Sequence, residues 1–266
     1  MFSILLTNDD GYDAVGLKAL VQALKDIAKI TVVAPAKNKS ACGHSLTLDR
    51  PLRLVCVDDD FYKIDDATPS DCIYLSLGEL FKNGYRPNLV ISGINIGANM
   101  GEDITYSGTC SAAMEAVLHN IPAIAISQVC KSMCQDIKEN FDFDLAKNSI
   151  VKLVNMIKNG SFPLEDRKFL NVNIPPINTS ECKGFKITKA GYREYGNDAS
   201  RHLNPRGEEF YWIGLHPLLW KQSRQKDCDF EAVNDGFVSI SPIKLDMTSY
   251  EDINHLQKWF LENEKI

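Results

Sequence analysis

Two adjacent carboxylates, Asp9 and Asp10, follow the apolar residues Ile4, Leu5 and Leu6 with only Thr7 and Asn8 between. Burying a carboxylate is costly unless something pairs with it, so acids at the end of a buried-type strand call for a reason. In an open α/β sheet the carboxyl ends of the strands face the crevice where ligands bind. Placed there, Asp9 and Asp10 suit a hard divalent cation, and Gly11 lets the backbone turn so that both can reach it. The competing reading of residues 8–11 is an Asx turn with a helix cap, favoured for local hydrogen bonding alone.

Three further loops carry groups of matching chemistry. Glycines at 93, 97 and 101 alternate with Asn95 and Asn99 after the apolar run 89–91. Such a loop brings amides and backbone N–H groups to an anion, or supplies an oxygen to a metal. Ser107, Gly108 and Thr109 open a small-residue helix, whose N-terminus is an anion site through its N–H groups and dipole. Ser40 and Gly43 lie in a polar loop after the second strand. Each signal alone is also explained by a turn, a cap or a solvated loop. Their common position after strands at one sheet edge is the stronger observation. Two carboxylates, an amide and a hydroxyl suit magnesium or manganese rather than zinc. The joint reading is metal-assisted phosphoester hydrolysis. Of the five histidines His44 alone lies in a site loop, while His119, His202, His216 and His255 read as surface or packing residues. The phosphate-loop pattern GxxxxGK[ST] is absent.

The elements that must hold these loops alternate. A strand over 4–7, a helix with Leu17, Leu20, Val21, Leu24 and Ile27 on one face, and a strand over 30–33 make a β-α-β unit. Strands over 52–57 and 61–64 flank an acidic turn, and the helix-start residues Thr68, Pro69, Ser70 and Asp71 precede an apolar helix over 72–81. A strand over 89–91, a helix over 110–118, a strand over 121–127, a helix over 145–157 and a strand over 169–172 follow. Alternation of this kind predicts an α/β fold with a mostly parallel sheet and helices on both faces. Past residue 177 the pattern loosens into strands over 185–188, 210–213 and 237–240 with long polar loops, then a helix over 250–262. The chain divides on this reading into a catalytic core, 1–176, and a β-rich C-terminal extension, 177–266. The extension and its terminal helix read as an arm used in oligomer contacts.

Bulk properties narrow the partners. The formal net charge of −6 over 266 residues argues against a nucleic-acid binder, which needs a basic face. No run approaches the roughly 20 apolar residues of a membrane span. Asn8, Asp9 and Asp10 interrupt any signal-peptide pattern. Eight scattered cysteines with no CxxC pair read as reduced thiols in the cytoplasm.

In combination these residues resemble a known family. Ile4-Leu5-Leu6-Thr7-Asn8-Asp9-Asp10-Gly11 looks like the signature of the stationary-phase survival protein SurE family. The likeness continues through Val33-Ala34-Pro35, Asn38-Lys39-Ser40 and Thr68-Pro69-Ser70-Asp71-Cys72. It is strongest from Ile91 to Gly101 and in Tyr106-Ser107-Gly108-Thr109, and it returns in Pro205-Arg206-Gly207, Tyr211-Trp212 and Val238-Ser239-Ile240-Ser241-Pro242. The resemblance implies a Rossmann-like core and a 5′-nucleotidase, a phosphatase of nucleoside 5′- and 3′-monophosphates and of short polyphosphate in some relatives. It implies one Mg2+ or Mn2+ per subunit on Asp9, Asp10, Ser40 and Asn95, with Asp9 or Asp10 as the catalytic group. Asn8, Gly43, Asn99, Ser107, Gly108 and Thr109 would line the phosphate and substrate pocket. It also implies a homodimer or homotetramer joined through the C-terminal region. Ala67, where glycine is usual, and the loop 42–44 depart from the family without touching those ligands. The alternative from a different class is a non-catalytic nucleotide-binding regulatory module. The doubled acid speaks against it, because a phosphate binder gains nothing from extra negative charge.

Overall fold

The computed structural model describes residues 1–82, 84–130, 141–196, 198–214, 219–220 and 226–264. In chain order its elements are β1 (Ser3–Thr7), α1 (Val15–Leu24), β2 (Lys29–Pro35), β3 (Arg53–Asp58), β4 (Phe61–Asp65) and α2 (Pro69–Glu79). Next come β5 (Leu89–Ile96), a 3₁₀ turn (Gly101–Thr105), α3 (Gly108–Leu118), β6 (Ala123–Gln128), α4 (Asp144–Asn159) and β7 (Lys168–Ile174). The C-terminal part holds β8 (Phe185–Ile187), β9 (Arg193–Glu194), β10 (Asp198–Leu203), β11 (Glu209–Gly214), β12 (Leu219–Trp220), α5 (Asp229–Asn234), β13 (Val238–Lys244) and α6 (Ile253–Asn263).

Nine strands form one sheet in the order β3-β4-β2-β1-β5-β6-β7-β13-β8. Neighbours from β4 to β7 run parallel, while β3 against β4 and β13 against β7 are antiparallel. This is the α/β, Rossmann-like sheet that the alternating pattern predicts. Strand β1 lies at the centre with every residue buried. Its side chains alternate between faces, as the pleat requires: Ile4 and Leu6 join Leu17, Leu20 and Leu24 of α1 and Leu145 and Ile150 of α4. Leu5 faces the other way, with Ile73 and Leu77 of α2 and the small residues of α3. Two strands from beyond residue 177, β13 and β8, complete the sheet edge.

The topology decides where a site can be. From β1 the chain crosses through α1 to β2 on one side, and β5 later takes the other side. The strand order therefore reverses between β1 and β5, the position where doubly wound folds bind ligands.

Two local differences from the sequence reading matter for the site. Helix α2 begins at Pro69 rather than 72, because Thr68 caps it: its hydroxyl accepts from the Asp71 amide at 3.1 Å and the Asp71 carboxylate accepts from the Thr68 amide at 2.8 Å. Strand β5 does not end at 91 but continues to Ile96. Its ladder with β6 breaks between Ser92 and Asn95 and then resumes, with Asn95 opposite Ser127. Asn95 therefore stands on a strand end and not in a free loop. Between the expected strands over 210–213 and 237–240, where a long polar loop is expected, the described residues form β12 and α5, and 215–218 and 221–225 lie outside the described residues. Cys42, Cys56, Cys72, Cys110, Cys182 and Cys228 are free thiols. Cys130 is disulfide-bonded, against the expectation of reduced cysteines throughout, and Cys134 lies outside the described residues. Among the described residues no helix is long and apolar enough to cross a membrane.

Candidate active site

The acidic loop is shaped by its first residue. Asn8 is buried, its Nδ2 donating to the Gly11 carbonyl at 2.9 Å and its Oδ1 accepting from the Gly11 amide at 3.3 Å. Gly11 sits at φ +112°, where a side chain would be strained. Asn8 thus spends its amide on the turn that presents Asp9 and Asp10. The Asx-turn reading and the ligand reading hold together in one loop.

Asp9 is only 4% exposed. Its Oδ1 accepts from the Thr109 hydroxyl at 2.7 Å and its Oδ2 from the Thr109 amide at 3.2 Å. Both donors belong to the first turn of α3, so the anion held at the positive end of this helix is the protein's own carboxylate. Close approach makes this possible: a Cβ on Gly108 would lie 2.7 Å from the Asp9 Cβ and 2.9 Å from its Oδ2. Burial pushes the Asp9 carboxyl above its ordinary range, and the hydrogen bonds from Thr109 and nearby backbone amides pull it back only in part. The Thr109 hydroxyl and amide are neutral donors and leave the buried charge unbalanced.

Asp10 and Ser40 come together through Asn38, which the sequence reading left unassigned. Asn38 Nδ2 donates to Asp10 Oδ1 at 3.2 Å, and Asn38 Oδ1 accepts from the Ser40 amide at 2.8 Å. The Lys39 amide donates to the Asp9 carbonyl at 2.7 Å, a second tie between the two loops. The Lys39 ammonium turns away to Asp66 at 2.9 Å. Farther along, the Gly43 amide donates to the Tyr106 carbonyl at 3.0 Å, beside Ser107. Ser107 caps α3 by accepting from the Cys110 amide at 3.0 Å. Cys42 shares this corner, 3.2 Å from where a Gly108 Cβ would stand. Burial, with Asp9 adding to it, pushes its thiol up to about 11.

The two asparagines of the glycine-rich segment part company. Thr7 pairs with Ser92, and Asn95 lies as far beyond Ser92 as Asp10 lies beyond Thr7, so both emerge at the same sheet edge. Asn95 donates from Nδ2 to the Gly97 carbonyl at 3.0 Å, which leaves its oxygen for another partner. Asn99 is held deeper. Its Nδ2 donates to Ser127 Oγ at 2.7 Å, its amide donates to Asn173 Oδ1 at 3.0 Å, and its carbonyl accepts from Asn171 at 2.8 Å and Asn173 at 3.0 Å. Asn171 and Asn173 were missed from the sequence, although two asparagines on one face of a strand otherwise apolar are a legible signal. A buried Asp229 secures the far end of this segment, accepting from the Gly101 and Gly191 amides at 2.8 and 2.9 Å.

Comparison with known proteins decides the family. Residues 4–197 match the model of the family described as Survival protein SurE. The chain belongs to the SurE family. The 5′-nucleotidase SurE of Aliarcobacter butzleri is 73% identical over 97% of this chain and 99% of its own length. That of Sulfurovum sp. is 61% identical over 96% and 97%. The crystal structure of the SurE protein from Aquifex aeolicus superposes with a TM-score of 0.81 at 39% identity, covering 98% of this chain and 100% of that one. The family resemblance carried by residues 4–11 and 91–101 is borne out, and with it the Rossmann-like fold. Asp9, Asp10, Ser40 and Asn95 of this SurE chain all stand at the carboxyl edge of its first, second and fifth strands.

Proposed function

We propose that this SurE-family chain is a 5′-nucleotidase that hydrolyses nucleoside 5′-monophosphates to nucleoside and phosphate, using one Mg2+ or Mn2+ per subunit. Nucleoside 3′-monophosphates and short polyphosphate are further substrates on this reading. The substrate class rests on the relatives that share nearly its whole length and are named for that activity. The reaction class rests on one observation: a buried carboxylate, Asp9, fixed on a helix start beside Asp10 at the point where the strand order reverses.

The residues present fit a hard cation. Asp9 and Asp10 offer carboxylate oxygens, Ser40 a hydroxyl and Asn95 an amide oxygen, the donor types that Mg2+ and Mn2+ prefer. Among the described residues no group of three or more His, Cys, Asp or Glu is arranged to hold a metal. The proposed set contains two acids and is completed by Ser40 and Asn95. Bound there, the ion supplies positive charge against the phosphoryl oxygens and acidifies a water ligand.

The chain's own groups do the rest. Thr109 keeps Asp9 oriented, and Asn38 keeps Asp10 and Ser40 in step. Ser107, Gly108 and Thr109, with Asn99, line the phosphate pocket, where the Asn99 Nδ2 hydrogen not given to Ser127 stabilises charge building on its oxygens. Gly43 brings a side-chain-free stretch of backbone to that pocket, and Asn8 sets the turn under it. Asp9 or Asp10 takes the proton of the attacking water.

In the same reading the chain assembles as a homodimer or homotetramer through its C-terminal region. Helix α6 has no buried residue and leaves Ile253, Leu256, Trp259, Phe260 and Leu261 41–66% exposed. The β10–β11 hairpin leaves Phe210, Tyr211, Trp212 and Ile213 exposed as well. Contiguous apolar surface of this kind marks a contact face.

The test is a panel of nucleotides with Mn2+. Phosphate release from 5′-AMP or 5′-GMP should stop on EDTA addition and return with excess Mn2+. Asp9→Asn should lose about 100-fold or more in kcat/KM. Full metal-dependent activity in that variant would show the assignment of Asp9 to be wrong.

A further inference from the structure

Helix α3 carries a second buried acid. Glu115 is 4% exposed and lies two turns after Gly108, on the same side of the helix. Its Oε2 is 2.7 Å from His44 Nε2 and its Oε1 is 3.1 Å from His119 Nε2. A carboxylate only accepts, so in both contacts the ring nitrogen is the donor. The Tyr74 and His119 rings pack in a T-shaped arrangement, with centroids 5.5 Å apart.

The loop that brings His44 to Glu115 is the one carrying Ser40 and Gly43. Ala41, Ser45 and Leu46 are exposed, so burial does not hold this loop in place. Polar ties do. Ser40 hangs on Asn38, the Gly43 amide on the Tyr106 carbonyl, and His44 on Glu115. Beyond them the Ser45 carbonyl accepts from the Thr68 hydroxyl at 2.8 Å. Thr47 donates to Asp71 from its amide at 2.8 Å and from its hydroxyl at 2.6 Å. The loop is laid along α3 from Gly108, beside Cys42, to Glu115, beside His44. Glu115 is the charged anchor of that path, and leaving a buried carboxylate short of donors is costly.

We infer that Glu115 and His44 are positioning residues for the proposed reaction, a pin that holds the Ser40 and Gly43 loop against α3. The inference rests on the assignment of Ser40 and Gly43 to the site. Maleimide labelling of the half-buried Cys42, quantified by peptide mass spectrometry against the exposed Cys56, reads loop opening without metal or substrate. His44→Ala and Glu115→Gln should label Cys42 roughly 10- to 100-fold faster and lose a similar factor in kcat/KM on 5′-AMP, the effect of losing a hydrogen bond to a charged group. The loss should appear as a higher KM and a higher Mn2+ requirement more than as a lower kcat. His44→Gln keeps an amide donor and should recover most of both effects. Wild-type labelling at an unchanged melting temperature overturns the pin, and so does faster labelling with wild-type kcat/KM. Should Glu115→Gln fail to fold, His44→Ala, with its side chain at the surface, carries the test alone. An inactive wild-type enzyme would refute the proposed reaction, whereas the labelling result judges the pin without turnover.

Discussion

Replacing Thr109 with valine tests whether Asp9 is held for chemistry. The substitution removes one hydroxyl at a fully buried position and keeps the shape of the side chain. What it deletes is the 2.7 Å hydrogen bond to Asp9 Oδ1, while the longer bond from the Thr109 amide stays. Hydrogen bonds to charged groups are worth about 1.5–3 kcal/mol, so kcat/KM should fall by about 10- to 150-fold if the ionised, oriented Asp9 is needed. The pH profile gives an independent readout. Burial already raises the Asp9 carboxyl and the Thr109 hydroxyl is the foremost influence lowering it, so its loss raises the carboxyl further. The acid limb of kcat/KM should therefore move to higher pH. Thr109→Ser keeps the hydroxyl and should restore both the rate and the position of that limb. The measurement is phosphate release from 5′-AMP with Mn2+ from pH 5 to 9. Wild-type kcat/KM and an unmoved acid limb in a folded Thr109→Val protein would refute the reasoning.

Three other outcomes follow from the same geometry. Gly108→Ala gains helix propensity of up to about 1 kcal/mol, but its Cβ would press on the Asp9 side chain from 2.7 Å. Activity should fall sharply while the far-ultraviolet circular dichroism stays unchanged. Mn2+ at about 100 times its dissociation constant should stabilise the protein by about 2.7 kcal/mol, seen as a higher melting temperature. At one fixed Mn2+ concentration the gain should be larger at pH 8 than at pH 5, because a raised Asp9 carboxyl holds a proton more often at the lower pH and the metal must displace it. Leu256→Asp places a charge on the exposed apolar face of α6 and removes contacts worth about 1.5–3 kcal/mol per buried leucine. Size-exclusion chromatography with light scattering should show a smaller species than wild type.

Much of the sheet was legible because its strands are short apolar runs between turn residues, and the helices between them carry clear periodicity. The acid pair was legible for the opposite reason: Asp9 and Asp10 violate what packing alone would place after Leu6. Less visible were features that depend on partners distant in sequence. Strand β5 reads as ending at Ile91 because glycines at 93 and 97 look like a loop, yet β6 supplies a ladder that carries it on to Ile96. Strand β10 is polar, and only its antiparallel pairing with β11 makes it a strand. Nothing in the sequence singles out Glu115, and His119 reads as a surface or packing residue. Their meeting with His44 exists only once the loop folds back on α3. Asn38 is the plainest case: an exposed loop amide until its two hydrogen bonds are seen to join Asp10 to Ser40.

The energetics of Asp9 link these observations. Removing a carboxylate from water costs several kcal/mol even after relaxation. Against this stand about 1.5–3 kcal/mol from the Thr109 hydroxyl and up to about 2 kcal/mol from the start of α3. These contributions are comparable, and the raised Asp9 carboxyl shows on which side the difference falls: the chain alone does not fully support the charge. Capping α3 does not need Asp9, because Ser107 already caps it by accepting from the Cys110 amide. A carboxylate buried, oriented and left short of compensation is instead suited to a cation that completes it. On this argument the hydrogen bonds that hold Asp9 also leave it ready to be a ligand.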